Sequence, residues 1–184
     1  MSWFKRLFRS ENQTEAVERL YAALIAQARQ PAFYREGKVP DSLDGRFELI
    51  ALHAFLVLRR LKSEGPAGAR LAQRLFDRMF VDMDESLREI GVGDLSVGKR
   101  VKAMAKALYG RISAYEAALE DPATDPLEEA LARNLYGTLP TAQGLPLATM
   151  GTYLRRAAAE IDAQPGGDLF AGRISFPPPP PTFS

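Results

Sequence analysis

The chain contains one histidine, His53, and this residue is the first candidate for chemistry. Its ring could ligate a haem or another metal site, or it could transfer a proton. Cysteine is absent, which excludes disulfides, thiolate nucleophiles and cysteine-based zinc or iron–sulfur sites. His53 lies in an apolar run and has no carboxylate at ligand spacing. We therefore predict a core histidine whose ring nitrogens bond to backbone or side-chain partners.

A group of carboxylates is the second candidate for a reactive site. Asp82, Glu85 and Glu89 share one helix face at i, i+3 and i+7, and Asp84 lies beside them. A metal or acid–base role would need a cleft or a histidine partner, and the sequence supplies neither nearby. We therefore predict that these carboxylates form a solvated helix face.

Two glycines, Gly91 and Gly93, superficially match the start of a dinucleotide-binding loop. Such a loop follows a strand and carries a third glycine, whereas here a helical pattern precedes the glycines and no third one follows at the required spacing. We predict a turn between two helices, in which glycine relieves backbone strain. With no reactive constellation left, we predict a protein that is not an enzyme and that needs no cofactor and no metal.

The composition is that of an ordinary globular protein. The chain has 184 residues, of which 46% are hydrophobic and 26% charged, and this length suits one domain. A net charge of +1 gives no overall attraction to nucleic acid, so we expect no DNA partner. The longest apolar run, residues 49–58, is too short for a membrane span of about 20 residues.

Apolar residues at helical spacing predict an all-α, single-domain bundle of about six helices. The second helix is apolar on all sides, which is typical of a central, buried helix. The expected organisation is a basic aromatic N-terminal segment (1–12), a helical domain (13–164) and a proline-rich C-terminal tail (165–184), extended and outside the core. The predicted helices cover about 14–30, 46–63, 67–90, 97–120, 127–136 and 147–163.

Residues 82–111 form a hairpin whose first arm has an acidic face and whose second arm has a basic face. The basic residues Lys99, Lys102 and Lys106 form either a solvated, salt-bridged face, which is favoured, or a contact with ribosomal RNA or anionic lipid. At the N-terminus, Trp3, Lys5 and Arg6 belong to a segment that is either a short interfacial anchor or a start that packs on the bundle.

A wide apolar face on the third predicted helix and the adjoining arm has two interpretations. Ordinary core between neighbouring helices is favoured. The alternative is a partly exposed groove for an apolar client, since methionine-rich surfaces adapt to varied partners. The candidate client-binding residues are Phe76, Met79, Phe80, Met83 and Met104.

Two blocks, residues 41–62 and 74–111, resemble the ubiquinol–cytochrome c chaperone family, and the stretch FDRMFVDMDESLREIGVGDLSVGKRVK (76–102) is the most specific part. The likeness covers roughly residues 15–160. It implies an all-α, non-enzymatic assembly factor for respiratory complex III that binds newly made cytochrome b. A general helical adaptor without a membrane client is the alternative.

The same resemblance implies partners and a location. Mitochondrial members of the family associate with the translating ribosome, so the ribosome is a candidate partner here, and a small partner subunit is another. An anionic membrane surface is also a candidate partner, through the basic residues described above. We expect a bacterial relative on the cytoplasmic side of the inner membrane, peripheral to it, or a matrix protein if the source is mitochondrial.

Overall fold

Eight helices make up the computed structural model, which describes the backbone of residues 2–182 and the side chains of residues 13–182. No strand occurs in that part of the chain, and the six longer helices match the six predicted ones, so the all-α prediction is confirmed. The helices are α1 (Ser2–Ala28), α2 (Pro31–Arg35), α3 (Leu43–Ser63), α4 (Gly65–Glu89), α5 (Asp94–Glu120), α6 (Asp125–Asn134), α7 (Leu147–Asp162) and α8 (Gly166–Phe170).

The central element is α3, which contacts α1, α4, α5 and α7. Ser42 caps its N-terminus by accepting a hydrogen bond from the backbone N–H of Gly45. Its apolar residues face two clusters, one shared with α2, α6 and α7 and the other with α1, α4 and α8. This explains why α3 is apolar on all sides. Across the described residues, no helix combines the length and hydropathy that a bilayer crossing requires.

The α4–α5 hairpin turns at Gly91, whose φ of +84° lies in the left-handed region that favours glycine. The prediction of a helix–helix turn is therefore confirmed. Arg88 pairs with Asp84 within α4 and with Asp94 across the turn, so part of the acidic face ties the hairpin together. Asp82 accepts a 2.7 Å hydrogen bond from the hydroxyl of Tyr21 on α1. Among the described residues, no group of histidines and carboxylates is placed to hold a metal.

The segment after residue 164 differs from the extended, separate tail that composition predicts. It begins with α8, whose Leu169 is fully buried in the cluster around α1, α3 and α4. Gly172, at φ +77°, approaches α1 so closely that a Cβ there would lie 2.8 Å from the Cα of Ala16. Further on, Ile174 and Phe176 pack against both apolar clusters. The apolar side chains interspersed among the prolines therefore bind this segment to the bundle.

Hydrogen bonds to backbone carbonyls also hold the same segment. Proline has no backbone N–H, but its carbonyl oxygen still accepts hydrogen bonds. Gln27 donates to the carbonyl of Pro177 at 2.9 Å, and Arg156 donates to that of Pro178. Gln164 bonds to both the N–H and the carbonyl of Ser175. The proline-rich segment thus lies along α1 and α7 without helical or strand structure after α8.

His53 lies at the centre of a buried polar network. Its Nδ1 is 2.7 Å from the carbonyl oxygen of Leu49, which can only accept, so Nδ1 carries the proton. Nε2 therefore accepts from the hydroxyl of Tyr153 at 2.8 Å, and the Tyr153 oxygen accepts from Gln27 at 2.9 Å. The rings of Phe33 and Phe176 pack edge-on against the imidazole. The prediction of a satisfied core histidine is confirmed.

Acid should destabilise the bundle through His53. Burial lowers the pKa of His53 from 6.5 to about 4, although the Leu49 bond acts against the shift. The unfolded chain binds this proton at higher pH than the folded chain, so the stabilising contribution is complete above pH 6.5 and is lost as the pH falls toward 4. We expect a loss of roughly 3 kcal/mol in unfolding free energy. Urea unfolding across this range measures it, and His53→Phe should flatten the pH slope above about pH 5.

The C-terminal segment should contribute to stability through Phe176. We expect Phe176→Ala to lower the unfolding free energy by roughly 2 kcal/mol, less than a fully buried phenylalanine because its ring is half-buried. The matched control is Phe170→Ala, since Phe170 is in the same segment but exposed. Equal thermal unfolding of the two variants would contradict the packing described for the segment.

Candidate functional site

The inner stripe of α4 provides core rather than contact surface. Met79 and Met83 are 2% and 6% exposed and pack among residues of α1 and α3. These two of the predicted client-binding residues therefore support the hairpin from inside. Their spacing of four residues continues the buried row that runs along the whole helix: Leu71, Leu75, Met79, Met83 and Leu87.

The other two predicted residues of α4 form a partly exposed aromatic row with a residue of α5. The rings of Phe76 and Phe80 lie 4.6 Å apart, and the ring of Tyr109 lies 5.1 Å from Phe76. Phe76 and Phe80 are half-buried, whereas Tyr109 is 56% exposed. We name Phe76, Phe80 and Tyr109 the aromatic seam. Sequence reasoning missed Tyr109, although its position three residues after Lys106 places it beside the basic face of α5.

Met104 lies on the other side of α5, in a cavity of about 400 Å³ between α3 and α5. Its apolar wall includes Leu43, Phe47 and Ala107. Sequence reasoning placed Met104 on one surface with Phe76 and Phe80; all three pack against the same core cluster, but only Met104 lines this cavity. The cavity is therefore a second apolar opening, distinct from the aromatic seam.

A buried ion pair forms the polar wall of this cavity. Glu48 on α3 and Arg111 on α5 make two hydrogen bonds, and the Arg111 guanidinium lies 5.5 Å from the centre of the Phe47 ring. Burial raises the pKa of Glu48, although the bond to Arg111 acts against the rise. The same bond raises the pKa of Arg111, so the arginine stays charged and fixes α5 on α3.

The predicted basic residues of α5 point outward. Lys99, Lys102 and Lys106 are exposed and make no ion pair with any described residue. They lie between the aromatic seam and the cavity, on the face of α5 opposite its buried residues. The side chains of Trp3, Lys5 and Arg6 lie outside the described residues. The structure therefore places only the α5 part of the predicted basic surface.

Exposed apolar residues concentrate on the α4–α5 hairpin. Four of the six large hydrophobic residues exposed in the described part of the chain belong to it: Val81, Ile90, Leu95 and Tyr109. Leu95 is fully exposed at the start of α5, and Ile90 is 61% exposed at the end of α4. Tyr109 joins its exposed ring to those of Phe76 and Phe80, and such grouped apolar surface is typical of sites that contact other molecules. The hairpin therefore offers exposed apolar side chains for contact with a partner.

Comparison with known proteins identifies relatives over most of the chain. The model of the ubiquinol-cytochrome C chaperone family matches residues 35–176. Ubiquinol-cytochrome-c reductase complex assembly factor 1 from Xenopus laevis is 25% identical over 165 residues, covering 89% of this chain and 81% of its own length. The Homo sapiens counterpart is 26% identical over 168 residues, and the chain spans 54% of its length, about half.

A solved structure has the same fold. The crystal structure titled as the Cbp3 homolog from Brucella abortus matches with a TM-score of 0.82 and 39% sequence identity. The match covers 94% of this chain and 96% of the other. The family model matches most of the chain, including the whole α4–α5 hairpin, and the solved structure is similar over nearly the full length. The chain therefore belongs to the ubiquinol-cytochrome c chaperone family.

Proposed function

We propose that this protein is a non-enzymatic assembly chaperone for the ubiquinol–cytochrome c reductase complex, and that it binds newly made cytochrome b. One observation carries the proposal: the hairpin that holds most of the exposed large apolar residues lies within the region matched by the chaperone family. Relatives whose names state a role in assembling that complex support the same function.

The aromatic seam is the proposed client contact. Phenylalanine and tyrosine offer large apolar area at a low cost in side-chain entropy, so they suit binding to an apolar helix of a membrane protein. Phe76 and Phe80 keep the role that the sequence suggests, and Tyr109 joins them. Met104 is proposed as a separate contact in its cavity. Met79 and Met83 act indirectly, because they hold α4 against the bundle.

The lysines of α5 are proposed to hold the chaperone near the place where its client is made. Exposed charges act over about 8 Å at physiological ionic strength, so Lys99, Lys102 and Lys106 would act only on a surface in near contact. An anionic membrane and the ribosome are the two candidate surfaces. Trp3, Lys5 and Arg6 are proposed to add to the same attraction, and a small partner subunit is a further candidate. This role would place the protein at the cytoplasmic face of the inner membrane, as a peripheral protein.

Disrupting the aromatic seam should reduce client capture. We expect Tyr109→Asp to lower the amount of cytochrome b that co-purifies with the tagged chain about tenfold, because a charge replaces an aromatic contact. The matched control is Phe170→Asp, which places the same charge at another exposed aromatic position on a helix. Capture that falls equally in both variants, or in neither, would contradict a client site at the seam.

Substitution of Met83, which is buried, tests whether the inner stripe of α4 serves packing or client binding. We expect Met83→Asp to unfold the bundle, because it places a charge in the core. Tyr109→Asp should instead leave the circular dichroism spectrum and melting temperature almost unchanged, since its side chain is largely exposed. A stably folded Met83→Asp variant would show that the inner stripe of α4 is more accessible than described.

Reversing the lysine charges should weaken attachment to anionic surfaces. We expect Lys99, Lys102 and Lys106 replaced together by Glu to reduce binding to ribosomes or to phosphatidylglycerol vesicles, with most of the difference disappearing at high salt. A control that replaces Arg19, Arg70 and Arg133 by Glu gives the same change in net charge elsewhere on the surface. Co-sedimentation measures both, and equal losses would mean that net charge rather than the α5 face matters.

A further inference from the structure

A cavity of about 650 Å³ opens between the C-terminal end of α1, α2 and the first turns of α3. It is lined neither by the aromatic seam nor by the α5 lysines, and it shares no lining residue with the cavity at Met104. Three arginines, Arg29, Arg35 and Arg46, line it together with one carboxylate, Asp41. The charged lining is therefore predominantly positive, in a protein whose net charge is only +1.

Two of these arginines have no side-chain partner among the described residues. Arg46 is held by Asp41, with Nε 2.7 Å from Oδ1. Arg29 and Arg35 make no ion pair or side-chain hydrogen bond with any described residue. Most arginines in that part of the chain do have such a partner, and the other two without one, Arg70 and Arg100, are not in this cavity. Both arginines are solvent-exposed and line the same cavity, so they offer hydrogen-bond donors that no described side chain uses.

The rest of the lining is partly apolar. The Tyr34 hydroxyl donates to the backbone carbonyl of Ala28 at 3.0 Å, so the ring is fixed as a wall and its hydroxyl is already used. Burial raises the pKa of Tyr34, and the nearby positive charges of Arg46 and Arg29 act against the rise. Ile50 provides the apolar side on α3. The volume is within the range of about 300–1,000 Å³ that is typical of small-ligand sites.

We propose that this cavity binds a phosphate group, either as free phosphate or as part of a phospholipid headgroup. Guanidinium groups bind phosphate through paired, charge-assisted hydrogen bonds, and two of the three arginines here are free to do so. The apolar wall of Tyr34 and Ile50 suits the glycerol and first acyl carbons of a lipid. A nucleic acid would instead favour a longer row of cations along its successive phosphates. The site goes beyond the client-binding function, because it does not involve the hairpin.

Titration of the full-length chain with two separate probes tests the proposal. Inorganic phosphate and monomeric short-chain phosphatidylglycerol are each added while the arginine Nε–H resonances are followed by NMR. We expect the signals of Arg29, Arg35 and Arg46 to shift, and those of Arg70 and Arg100 to remain. Saturation by phosphate alone identifies the free anion as the ligand, whereas saturation by the lipid at lower concentration identifies the headgroup. Either result supports the site, and no shift at the three arginines with both probes overturns it.

Paired variants provide the control. Replacing Arg29 and Arg35 together by Gln should weaken binding of the effective probe about tenfold or more, because charge-assisted bonds are lost. Replacing Arg70 and Arg100 by Gln makes the same change in charge at arginines that are equally exposed but do not line this cavity, and it should leave binding within about twofold. Equal weakening in both variants would overturn the site. A short RNA that binds the same three arginines more tightly than either probe would also overturn it.

This outcome is independent of client binding. The Arg29 and Arg35 variant should still capture cytochrome b, because its aromatic seam is intact. If neither probe shifts the arginine signals, the proposed chaperone function still stands. If Tyr109→Asp captures as much cytochrome b as the unmodified chain, the phosphate site still stands.

Discussion

The architecture depends on the need to cover α3 on every side. Its apolar residues surround the helix axis, so a single neighbour could bury only part of them. The chain meets this constraint by placing α1, α4, α5 and α7 around α3, and the C-terminal segment closes the gap between α1 and α7. The His53 network connects α1, α3 and α7 through buried hydrogen bonds among Gln27, His53 and Tyr153. Once α3 is covered, α4 and α5 have one face committed to the core and one left at the surface.

Because α4 and α5 each have one face in the core and one at the surface, the hairpin is held firmly and still presents exposed side chains. The inner row of α4 and the Glu48–Arg111 pair fix the hairpin, so the aromatic seam is presented on a rigid support. The turn at Gly91 is held by its own hydrogen bonds and by the Arg88 ion pairs. In the proposed client-binding role, such a rigid support would lower the free energy spent on ordering the site during binding.

The sequence was sufficient to predict the helices, but it could not predict which of their apolar side chains are exposed. Helix periodicity predicted the six long helices, the central position of α3 and the buried state of His53. It could not separate Met79 and Met83 from Phe76 and Phe80, because which edge of a wide apolar stripe stays exposed depends on how α5 crosses α4. Tyr109 was missed for the same reason. The proline-rich composition suggested a separate tail, and only the packing of Leu169, Ile174 and Phe176 shows that these sparse apolar residues dock on the bundle.

Site-specific photocrosslinking in cells tests the central claim most directly. A benzophenone amino acid placed at position 109 samples the aromatic seam, and one at position 170 samples an exposed aromatic position elsewhere. After illumination of cells that are synthesising cytochrome b, our account predicts a crosslinked product containing cytochrome b from position 109 and none from position 170. Crosslinks to cytochrome b that are equally strong at both positions, or that occur only at position 170, would contradict the assignment of the hairpin as the client-binding surface.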